Sequence, residues 1–327
     1  MILVKSPLRI TIAGGGTDLP WWYKKNNGLV ISAAIDKFIN ITGFKRDFDK
    51  KIFLGYSKTE ICDNTKEINN EIIKVCLEKF NIKSSIEIHS ISETPGKSGL
   101  GSSGAFTSAL IKFLAEYKNI IMTQQQVAEL ACDVEMKYLK KSSGKQDAFI
   151  SVFGGFQEIK INKTGNVKTK KINISTKNIK KLNNSTLTYF TGITRDSEIV
   201  LKSQKKNYFL NNEKKIIFSK IAHLTNQIKK SLLDGNTKKL GETFHKHWVY
   251  KKQLTPLMSN DFINKIYTFA KKNGAYGGKL IGAGGGGFIL FVVDHKKKQQ
   301  LKKKLLKFKL KEFNWNFYSK GISVSKL

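Results

Sequence analysis

Three glycine-rich runs, each beside a segment with the pattern of a β-strand, constrain the fold more than any other feature of the sequence. They occupy residues 14–16, 96–104 and 282–287. Glycine lacks a Cβ atom, so backbone N–H groups there can approach an anion closely. In the middle run, Ser102, Ser103 and Gly104 precede a segment with helical periodicity, and a helix N-terminus attracts phosphate. The pattern predicts phosphate binding, with an ordinary turn and helix cap as the alternative.

Two better-known phosphate motifs do not fit these runs. Gly96, Lys97 and Ser98 match the end of a Walker A motif, but the glycine required five positions before Gly96 is missing. Residues 99–104 and 282–287 both satisfy GxGxxG. The first is separated from its strand by PGKS, and the second leads into a strand instead of a helix. We therefore predict neither a P-loop nor a dinucleotide fold.

The length of 327 residues predicts two domains with a cleft between them. The polar stretch 176–184 is rich in lysine and asparagine and shows no apolar period, so we expect it to be the boundary. The predicted domains are residues 1–185 and 186–327.

The formal net charge of +33 suggests an anionic partner, but its composition argues for a solvated lysine surface. Of 58 basic residues, the arginines are Arg9, Arg46 and Arg195 alone. Base readout and phosphate clamping favour the planar guanidinium group, so no nucleic-acid partner is predicted.

The cysteines and the apolar segments point to a reducing compartment. Cys62, Cys76 and Cys132 form neither a CxxC pair nor a cluster with histidine, so no disulfide or zinc site is predicted. No run approaches the roughly 18 apolar residues of a membrane span, and the N-terminus does not resemble a signal peptide. We expect a cytoplasmic protein with no membrane partner.

Hydrophobic periodicity predicts alternating strands and helices. Predicted strands cover residues 2–13, 29–41, 51–56, 85–91, 156–161, 167–174 and 186–190, with a buried strand after residue 287. Predicted helices cover residues 67–80, 105–117, 123–140, 211–233, 237–255, 260–273 and 296–309. Residues 142–149 are predicted to be a loop.

Three motifs then make a family resemblance specific. SPLRITIAGGGTDLP, PGKSGLGSSGAFTSAL and KLIGAGGGGFILF resemble, in order and spacing, the three motifs of the GHMP kinases, which include galactokinase, homoserine, mevalonate and phosphomevalonate kinases. The resemblance implies an α+β fold with an N-terminal domain of the ribosomal S5 domain 2-like type and a C-terminal ferredoxin-like domain. It places the active site between them and implies ATP and Mg2+ as cofactors.

The segments GGGTDLPWW, YFTGITRDS and GGKLIGAGGGGF resemble the branch that phosphorylates D-glycero-D-manno-heptose 7-phosphate at its anomeric hydroxyl. That branch makes the 1,7-bisphosphate for nucleotide-heptose and surface polysaccharide biosynthesis. Two alternatives remain open: another sugar-1-kinase of the superfamily, such as a fucokinase-like enzyme, and a basic RNA-binding protein with an S5-like fold. The oligomeric state is not predicted.

The resemblance also assigns residues to the nucleotide and the metal ion. It implies that the second motif wraps the nucleotide phosphates, with Ser103 and Glu135 as magnesium ligands. A surface acid on a helix is the alternative for Glu135. The predicted nucleotide-binding residues are Lys97, Gly99, Gly101, Ser102, Ser103 and Gly104.

The predicted catalytic residues are Asp147 and Arg9. A hydroxyl that attacks a γ-phosphoryl group needs a carboxylate to orient it or to take its proton, and Asp147 matches that position in the family. The alternative for Asp147 is a loop N-cap. Arg9 matches the basic residue beside the carboxylate and the transferring phosphoryl group.

The predicted substrate-binding residues are Gly15, Gly16, Asp18, Arg195, Lys279 and Gly284. Galactokinases carry glutamate and histidine around Gly15 and Gly16, so glycine there leaves room for a bulkier or phosphorylated sugar. For Arg195 the alternative is a surface ion pair with Asp196 or Glu198. Trp21 and Trp22 are expected in the core of the first domain, with substrate contact as the alternative.

Overall fold

The computed structural model describes residues 1–326 and contains two β-sheets, an eight-stranded sheet and a four-stranded sheet. The first half of the chain supplies most of the larger sheet and the helices that cover it. In chain order these elements are β1 (Ile2–Ala13), α1 (Pro20–Asn26), β2 (Gly28–Lys45), β3 (Ile52–Gly55), β4 (Thr59–Cys62), α2 (Glu71–Lys79), β5 (Ile86–Ser92), α3 (Ser102–Tyr117), α4 (Gln124–Asp133), α5 (Gln146–Phe153), β6 (Phe156–Ile161), β7 (Val167–Lys171) and α6 (Thr176–Ser185).

The second half supplies the smaller sheet. Its elements are β8 (Thr186–Phe190), α7 (Ser197–Leu210), α8 (Asn212–Leu233), α9 (Thr237–Lys252), α10 (Asp261–Lys272), β9 (Ala275–Leu280), β10 (Phe288–Val293), α11 (Lys298–Leu305), β11 (Lys311–Glu312) and β12 (Ser323–Lys326). The smaller sheet has the antiparallel order β11-β8-β10-β9. Strand β12 belongs to the larger sheet instead, where it pairs antiparallel with β1. The domain boundary near residue 185 stays a prediction.

The larger sheet is built around the long pair β1 and β2. Its main path runs β12-β1-β2-β5-β3-β4; β6 pairs with β2, and β7 pairs with β6. Within residues 1–326, β3 and β5 are the only parallel pair of this sheet. Most of β1 is buried, because both faces of this central strand are covered. Its register with β2 shifts between Pro7 and Arg9 and again between Thr11 and Ala13.

One hydrophobic core joins the two halves of the chain. It contains Ile10 of β1 and Phe113 of α3, and it continues into Phe244 of α9 and Phe288 of β10. A separate core fills the other side of the smaller sheet, around Trp248. The shared core holds the end of β1 next to the third glycine-rich run.

Helix α3 begins earlier than predicted. Gly101 has φ +77°, a left-handed conformation that favours glycine, and the helix starts at the next residue. Ser102, Ser103 and Gly104 therefore form its first turn and do not precede it. Gly104 allows close packing, since a Cβ atom there would lie 2.6 Å from Cβ of Asp147.

Other segments also differ locally from the prediction. The segment predicted as one helix, residues 123–140, is divided: α4 ends at Asp133, and a π-helical turn, Val134–Tyr138, follows it. The predicted loop 142–149 contains the start of α5, which places Asp147 in a helical first turn. The polar stretch 176–184 is helix α6, because Ser175 caps its N-terminus by accepting a bond from N of Asn178 and Leu182 is buried. Helix α7 was not predicted.

The expected position of the two tryptophans in the core of the first domain is wrong. Trp21 and Trp22 pack on Tyr208 of α7 and Phe218 of α8, with ring centroids 4.6–5.9 Å apart. Trp22 belongs to a third apolar cluster with these residues. The two tryptophans therefore pack α1 against helices of the second half of the chain.

Candidate active site

Arg9 and Asp147 form a two-bond ion pair at the centre of the candidate site. Nε of Arg9 donates to Oδ1 of Asp147 at 2.8 Å, and Nη2 donates to Oδ2 at 3.0 Å. The Arg9 side chain is 7% exposed and that of Asp147 is 29% exposed. A carboxylate held by a planar guanidinium group has a fixed orientation, and here one face remains open to solvent.

The second glycine-rich run fixes the other end of the Arg9 guanidinium. Nη1 of Arg9 donates to the carbonyl oxygen of Gly99, and the backbone N of Arg9 donates to O of Leu100 at 3.0 Å. A Cβ atom at Gly101 would lie 3.0 Å from Cγ of Arg9. The glycines at 99 and 101 therefore allow the loop to wrap closely around the arginine.

Gln146 supports Asp147 and was missed by sequence reasoning. Its Nε2 donates to Oδ1 of Asp147 at 2.9 Å and to Oγ1 of Thr11 at 2.8 Å. Its Oε1 is buried with no hydrogen-bond partner among residues 1–326. The only sequence signal was its position beside the predicted catalytic residue.

Glu135 lies on the π-helical turn and faces the first turns of α3. Its Oε1 accepts bonds from Oγ of Ser103 at 2.5 Å and from Oγ1 of Thr107 at 3.1 Å. Burial raises the pKa of Glu135, the Ser103 hydroxyl opposes that shift, and the Asp147 charge adds to it. Turns of this kind often occur at functional sites. The surface-acid alternative is wrong, because Glu135 is 7% exposed.

The Glu135 carboxylate and the Ser103 hydroxyl can hold a hard cation. In the described part of the chain no donor contacts Oε2 of Glu135, so this oxygen is available as a ligand. Mg2+ in phosphate sites takes one or two carboxylates and completes its shell with water and phosphate oxygens. No group of three or more His, Cys, Asp or Glu side chains that could hold a metal occurs in residues 1–326. The donors present fit magnesium bound together with phosphates.

Asp18 is buried beneath the start of α5. Its Oδ1 accepts from N of Gly16 at 3.2 Å, and its Oδ2 accepts from N of Gln146 at 3.1 Å. Burial raises its pKa, backbone N–H donors oppose the shift, and the Asp147 charge adds to it. Asp18 therefore ties the first glycine-rich run to the helix that carries Asp147. Its predicted contact with a sugar hydroxyl stays a prediction.

The second and third glycine-rich runs pack backbone against backbone. A Cβ atom at Gly282, which has φ +78°, would lie 2.6 Å from O of Gly99, and one at Gly287 would lie 2.1 Å from O of Ser98. Only glycine permits this approach without a shift of the backbone. The two runs thus form one continuous wall beside Arg9.

Two buried lysines lie next to the third glycine-rich run and the end of β1. Lys279 is 2% exposed, donates from Nζ to O of Ile12 at 2.6 Å, and lies over the Phe244 ring at 4.7 Å. Lys251 is 7% exposed and donates from Nζ to O of Gly282 at 2.6 Å. Lys279 was predicted from the third motif, whereas Lys251 was missed.

The remaining predicted residues lie at the rim of this group. Lys97 is exposed and pairs with Asp196 at 3.1 Å. Arg195 is exposed, and its Cδ lies beside Gly285, at 3.1 Å from an ideal Cβ there. It makes no ion pair within residues 1–326, so the alternative of a surface pair with Asp196 or Glu198 is wrong: Asp196 pairs with Lys97, and Glu198 pairs with Lys202. Its predicted role in substrate binding stays a prediction.

The glycines of the substrate group pack against side chains. Gly15 faces Thr11, and Gly16 lies against the Phe218 ring, where a Cβ atom would come within 2.8 Å. Gly284 packs on Sδ of Met258. The first and third runs are therefore both held by helices and turns of the second half of the chain.

Family models match both halves of the chain. The model described as GHMP kinases N terminal domain matches residues 67–155, and the model described as GHMP kinases C terminal matches residues 228–311. A D-glycero-alpha-D-manno-heptose 7-phosphate kinase from Campylobacter jejuni subsp. jejuni is 32% identical over 298 residues, which cover 86% of each chain. The chain belongs to the GHMP kinases. It is therefore an ATP-dependent phosphotransferase with the two-domain fold of that family.

Solved structures agree with this GHMP kinase fold. A Campylobacter jejuni protein is 30% identical and superposes with a TM-score of 0.79 over 100% of this chain and 98% of its own. A D-glycero-D-manno-heptose 1-phosphate kinase from Bacteroides thetaiotaomicron has a TM-score of 0.82 over 100% of this chain and 99% of its own, at 22% identity. The latter likeness concerns the fold alone. No helix in residues 1–326 of this GHMP kinase is long and apolar enough to cross a membrane.

Proposed function

We propose that this GHMP kinase transfers the γ-phosphoryl group of ATP to the anomeric hydroxyl of D-glycero-D-manno-heptose 7-phosphate. The observation that carries the proposal is the Arg9–Asp147 pair, with Asp147 29% exposed beside the loops that the family uses for phosphates. The 32% identity with a heptose 7-phosphate kinase supports the choice of acceptor. The product is the 1,7-bisphosphate.

In this proposal Asp147 acts on the acceptor hydroxyl. Arg9 and Gln146 hold the carboxylate through three bonds, which fixes its orientation. The carboxylate accepts a hydrogen bond from the sugar hydroxyl and takes its proton as the sugar oxygen bonds to the γ-phosphorus, while the bond from that phosphorus to ADP breaks and ADP leaves. The guanidinium charge of Arg9 stabilises both the carboxylate and the negative charge on the transferring group.

The first turn of α3 is the proposed binding site of the nucleotide phosphates. Helix α3 begins at Ser102, directly after Gly101, and the unpaired backbone N–H groups of a helix N-terminus suit phosphate oxygens. Glu135 and Ser103 are the proposed magnesium ligands. Magnesium, when bound, neutralises charge on the β- and γ-phosphates.

Arg195 is the proposed contact for the 7-phosphate of the sugar. It is one of three arginines in the chain, it is exposed, and it lies beside Gly285 of the third run. A guanidinium group without an ion pair can bind a phosphate through two parallel bonds, which a lysine cannot do.

An acceptor panel tests the proposal. The purified full chain is incubated with MgATP and separately with heptose 7-phosphate, heptose 1-phosphate, free heptose and fucose, while ADP release is followed. We expect turnover on heptose 7-phosphate, and phosphorus NMR of the product should show a new phosphate on the anomeric carbon. Turnover on fucose alone identifies a different sugar-1-kinase. Turnover on heptose 1-phosphate alone places the existing phosphate at the other carbon and overturns the proposed position.

A further inference from the structure

Three buried cations lie around the junction of the glycine-rich runs, and their partners differ. Arg9, Lys251 and Lys279 are 6%, 7% and 2% exposed. Arg9 pairs with Asp147, and Lys279 has a carbonyl and an aromatic ring. Lys251 contacts a single carbonyl and pairs with no carboxylate in the part of the chain that the structure describes. Buried charges are ordinarily paired, yet neither lysine has a carboxylate partner among residues 1–326, and Lys251 has fewer contacts than Lys279.

The ammonium group of Lys251 has unused donors. An ammonium carries three N–H bonds, and Gly282 accepts one of them. One turn earlier on the same face of α9, His247 is 2% exposed, and neither of its ring nitrogens has a hydrogen-bond partner among residues 1–326. This face of α9 therefore presents several unsatisfied polar atoms within the buried interior.

A short chain of contacts joins Lys251 to the reacting centre. Nζ of Lys251 lies 2.6 Å from O of Gly282, which packs directly on Gly99, and Gly99 accepts a bond from Arg9. The electrostatic environment is consistent with this position. Burial, and to a smaller extent the Arg9 charge, lower the pKa of Lys251 to about 8, and the Asp18 charge opposes this shift.

We infer that Lys251 is a further phosphate-binding residue of this kinase, which donates to an anionic oxygen held between Arg9 and the third glycine-rich run. The oxygen belongs to a phosphate group, either that of the sugar acceptor or the transferring γ-phosphoryl group. The sugar-phosphate source rests on the proposed function. Either phosphate supplies the direct anionic contact that no carboxylate of residues 1–326 makes with this ammonium.

Two substitutions at position 251 and one at its neighbour test the inference. Lys251→Met keeps the length of the side chain and removes the charge, whereas Lys251→Arg keeps the charge. Lys252→Met is the matched control, because Lys252 follows directly on α9 and contacts Oδ1 of Asn264 at 3.3 Å instead of the site. Steady-state kinetics of the full chain give kcat and both KM values, and thermal unfolding reports stability.

We expect Lys251→Met to reduce kcat/KM by about 10- to 100-fold, the size of one hydrogen bond to a charged group. The loss appears in KM of the sugar phosphate if that group is the ligand, and in kcat if the transferring group is the ligand. Lys251→Arg should recover part of the loss, and Lys252→Met should match the wild type.

Two results would overturn the inference. One is a Lys251→Met enzyme with wild-type kcat and KM values. The other is an equal loss in Lys251→Met and Lys251→Arg that follows a fall in the unfolding temperature, which assigns Lys251 a purely structural role in holding Gly282.

The inference can be judged even if the proposed acceptor is wrong. The kinetic ratio between variant and wild type is measured on whichever panel sugar the wild type phosphorylates. If the wild type phosphorylates none, calorimetry with a non-hydrolysable MgATP analogue and with inorganic phosphate replaces the kinetics. Weaker binding of either probe by Lys251→Met supports the inference, and unchanged binding of both contradicts it.

Discussion

Nε and Nη2 of Arg9 lie 2.8 Å and 3.0 Å from the two oxygens of Asp147, although 138 residues separate the two in the chain. Arg9 is on the central strand β1, and Asp147 is in the first turn of α5. The pair therefore forms only when the strand, the helix and the glycine-rich loop between them are all folded. We accordingly expect activity to depend on an intact larger sheet.

Asp147→Asn should remove activity and keep nucleotide binding. Asparagine is similar in size but cannot take the proton of the acceptor, so we expect kcat to fall by about 100- to 10,000-fold. Calorimetry with a non-hydrolysable ATP analogue should give an affinity close to that of the wild type. Near-normal kcat in this variant would show that Asp147 is not the base.

Arg9→Lys should reduce activity although lysine keeps the positive charge. Lysine cannot make the two parallel bonds to Asp147 and reach O of Gly99 at the same time, so we expect kcat/KM to fall by at least about 10-fold. Arg46→Lys is the control, since the Arg46 guanidinium also makes side-chain ion pairs, with Asp49 and Glu87, but away from the site. Equal kinetic losses in both variants would contradict a role specific to Arg9.

Glu135→Gln should stabilise the protein without ligands and remove its response to magnesium. Burial raises the pKa of Glu135, so the folded state favours the protonated form. The stability associated with that form is present at acid pH and is lost as pH rises through the raised pKa. The unfolding temperature of the variant should therefore exceed that of the wild type increasingly toward neutral pH.

The metal response of Glu135→Gln is measured separately. Magnesium with an ATP analogue should raise the unfolding temperature of the wild type and have little effect on the variant, because an amide is a poor ligand for Mg2+. A variant that responds to magnesium as the wild type does would exclude Glu135 as a ligand.

Lys251 should produce an alkaline limb in the pH profile. With its pKa lowered to about 8, mainly by burial, the ammonium loses its proton above that pH, and kcat/KM should fall. Arg9, Asp18, Lys279 and His247 are the charged and titratable groups around it. Lys251→Arg stays charged throughout, so its profile should lack this limb. A limb of the same midpoint in both enzymes would assign it to another group.

Gly99→Ala should disturb the wall between the second and third runs. Gly99 has φ +88°, and a Cβ atom there would lie 2.5 Å from O of Ile281. We expect a loss of about 1–3 kcal/mol in the free energy of unfolding, together with weaker binding of the ATP analogue. Gly96→Ala in the same run is the control, because a Cβ atom there has no neighbour within 4 Å. Indistinguishable variants would contradict close packing of the two runs.

The strands and the glycine-rich runs could be predicted because their signals are local. Strand β1 matches the predicted residues 2–13 in full, and the pairing of Arg9 with Asp147 agrees with their proposed proximity. Helix boundaries were less accurate: the small and polar residues Ser102, Ser103 and Gly104 indicate a loop, but tertiary packing against Asp147 makes them helical.

Other parts of the site had no local signal. Lys251 is one residue in a lysine-rich chain, and only its burial beside Gly282 distinguishes it. The apolar residues of α7 follow a helical period too weakly for the helix to be recognised from the sequence, although Asp196 caps its N-terminus. Gln146 gains its significance from contacts with Thr11 and Asp147 that a sequence pattern does not record.

Strand β12 has a consequence for the order in which the protein can be assembled during synthesis. Residues Ile2–Lys5 at the start of β1 pair with residues 323–326, and nearby Tyr318 donates its backbone N–H to O of Ala34. Until the ribosome has made residues 323–326, the start of the strand that carries Arg9 has a free edge, and free edges invite pairing with other chains. The edge of β1 at residues Ile2–Lys5 is therefore protected only after the chain has been synthesised as far as residue 326.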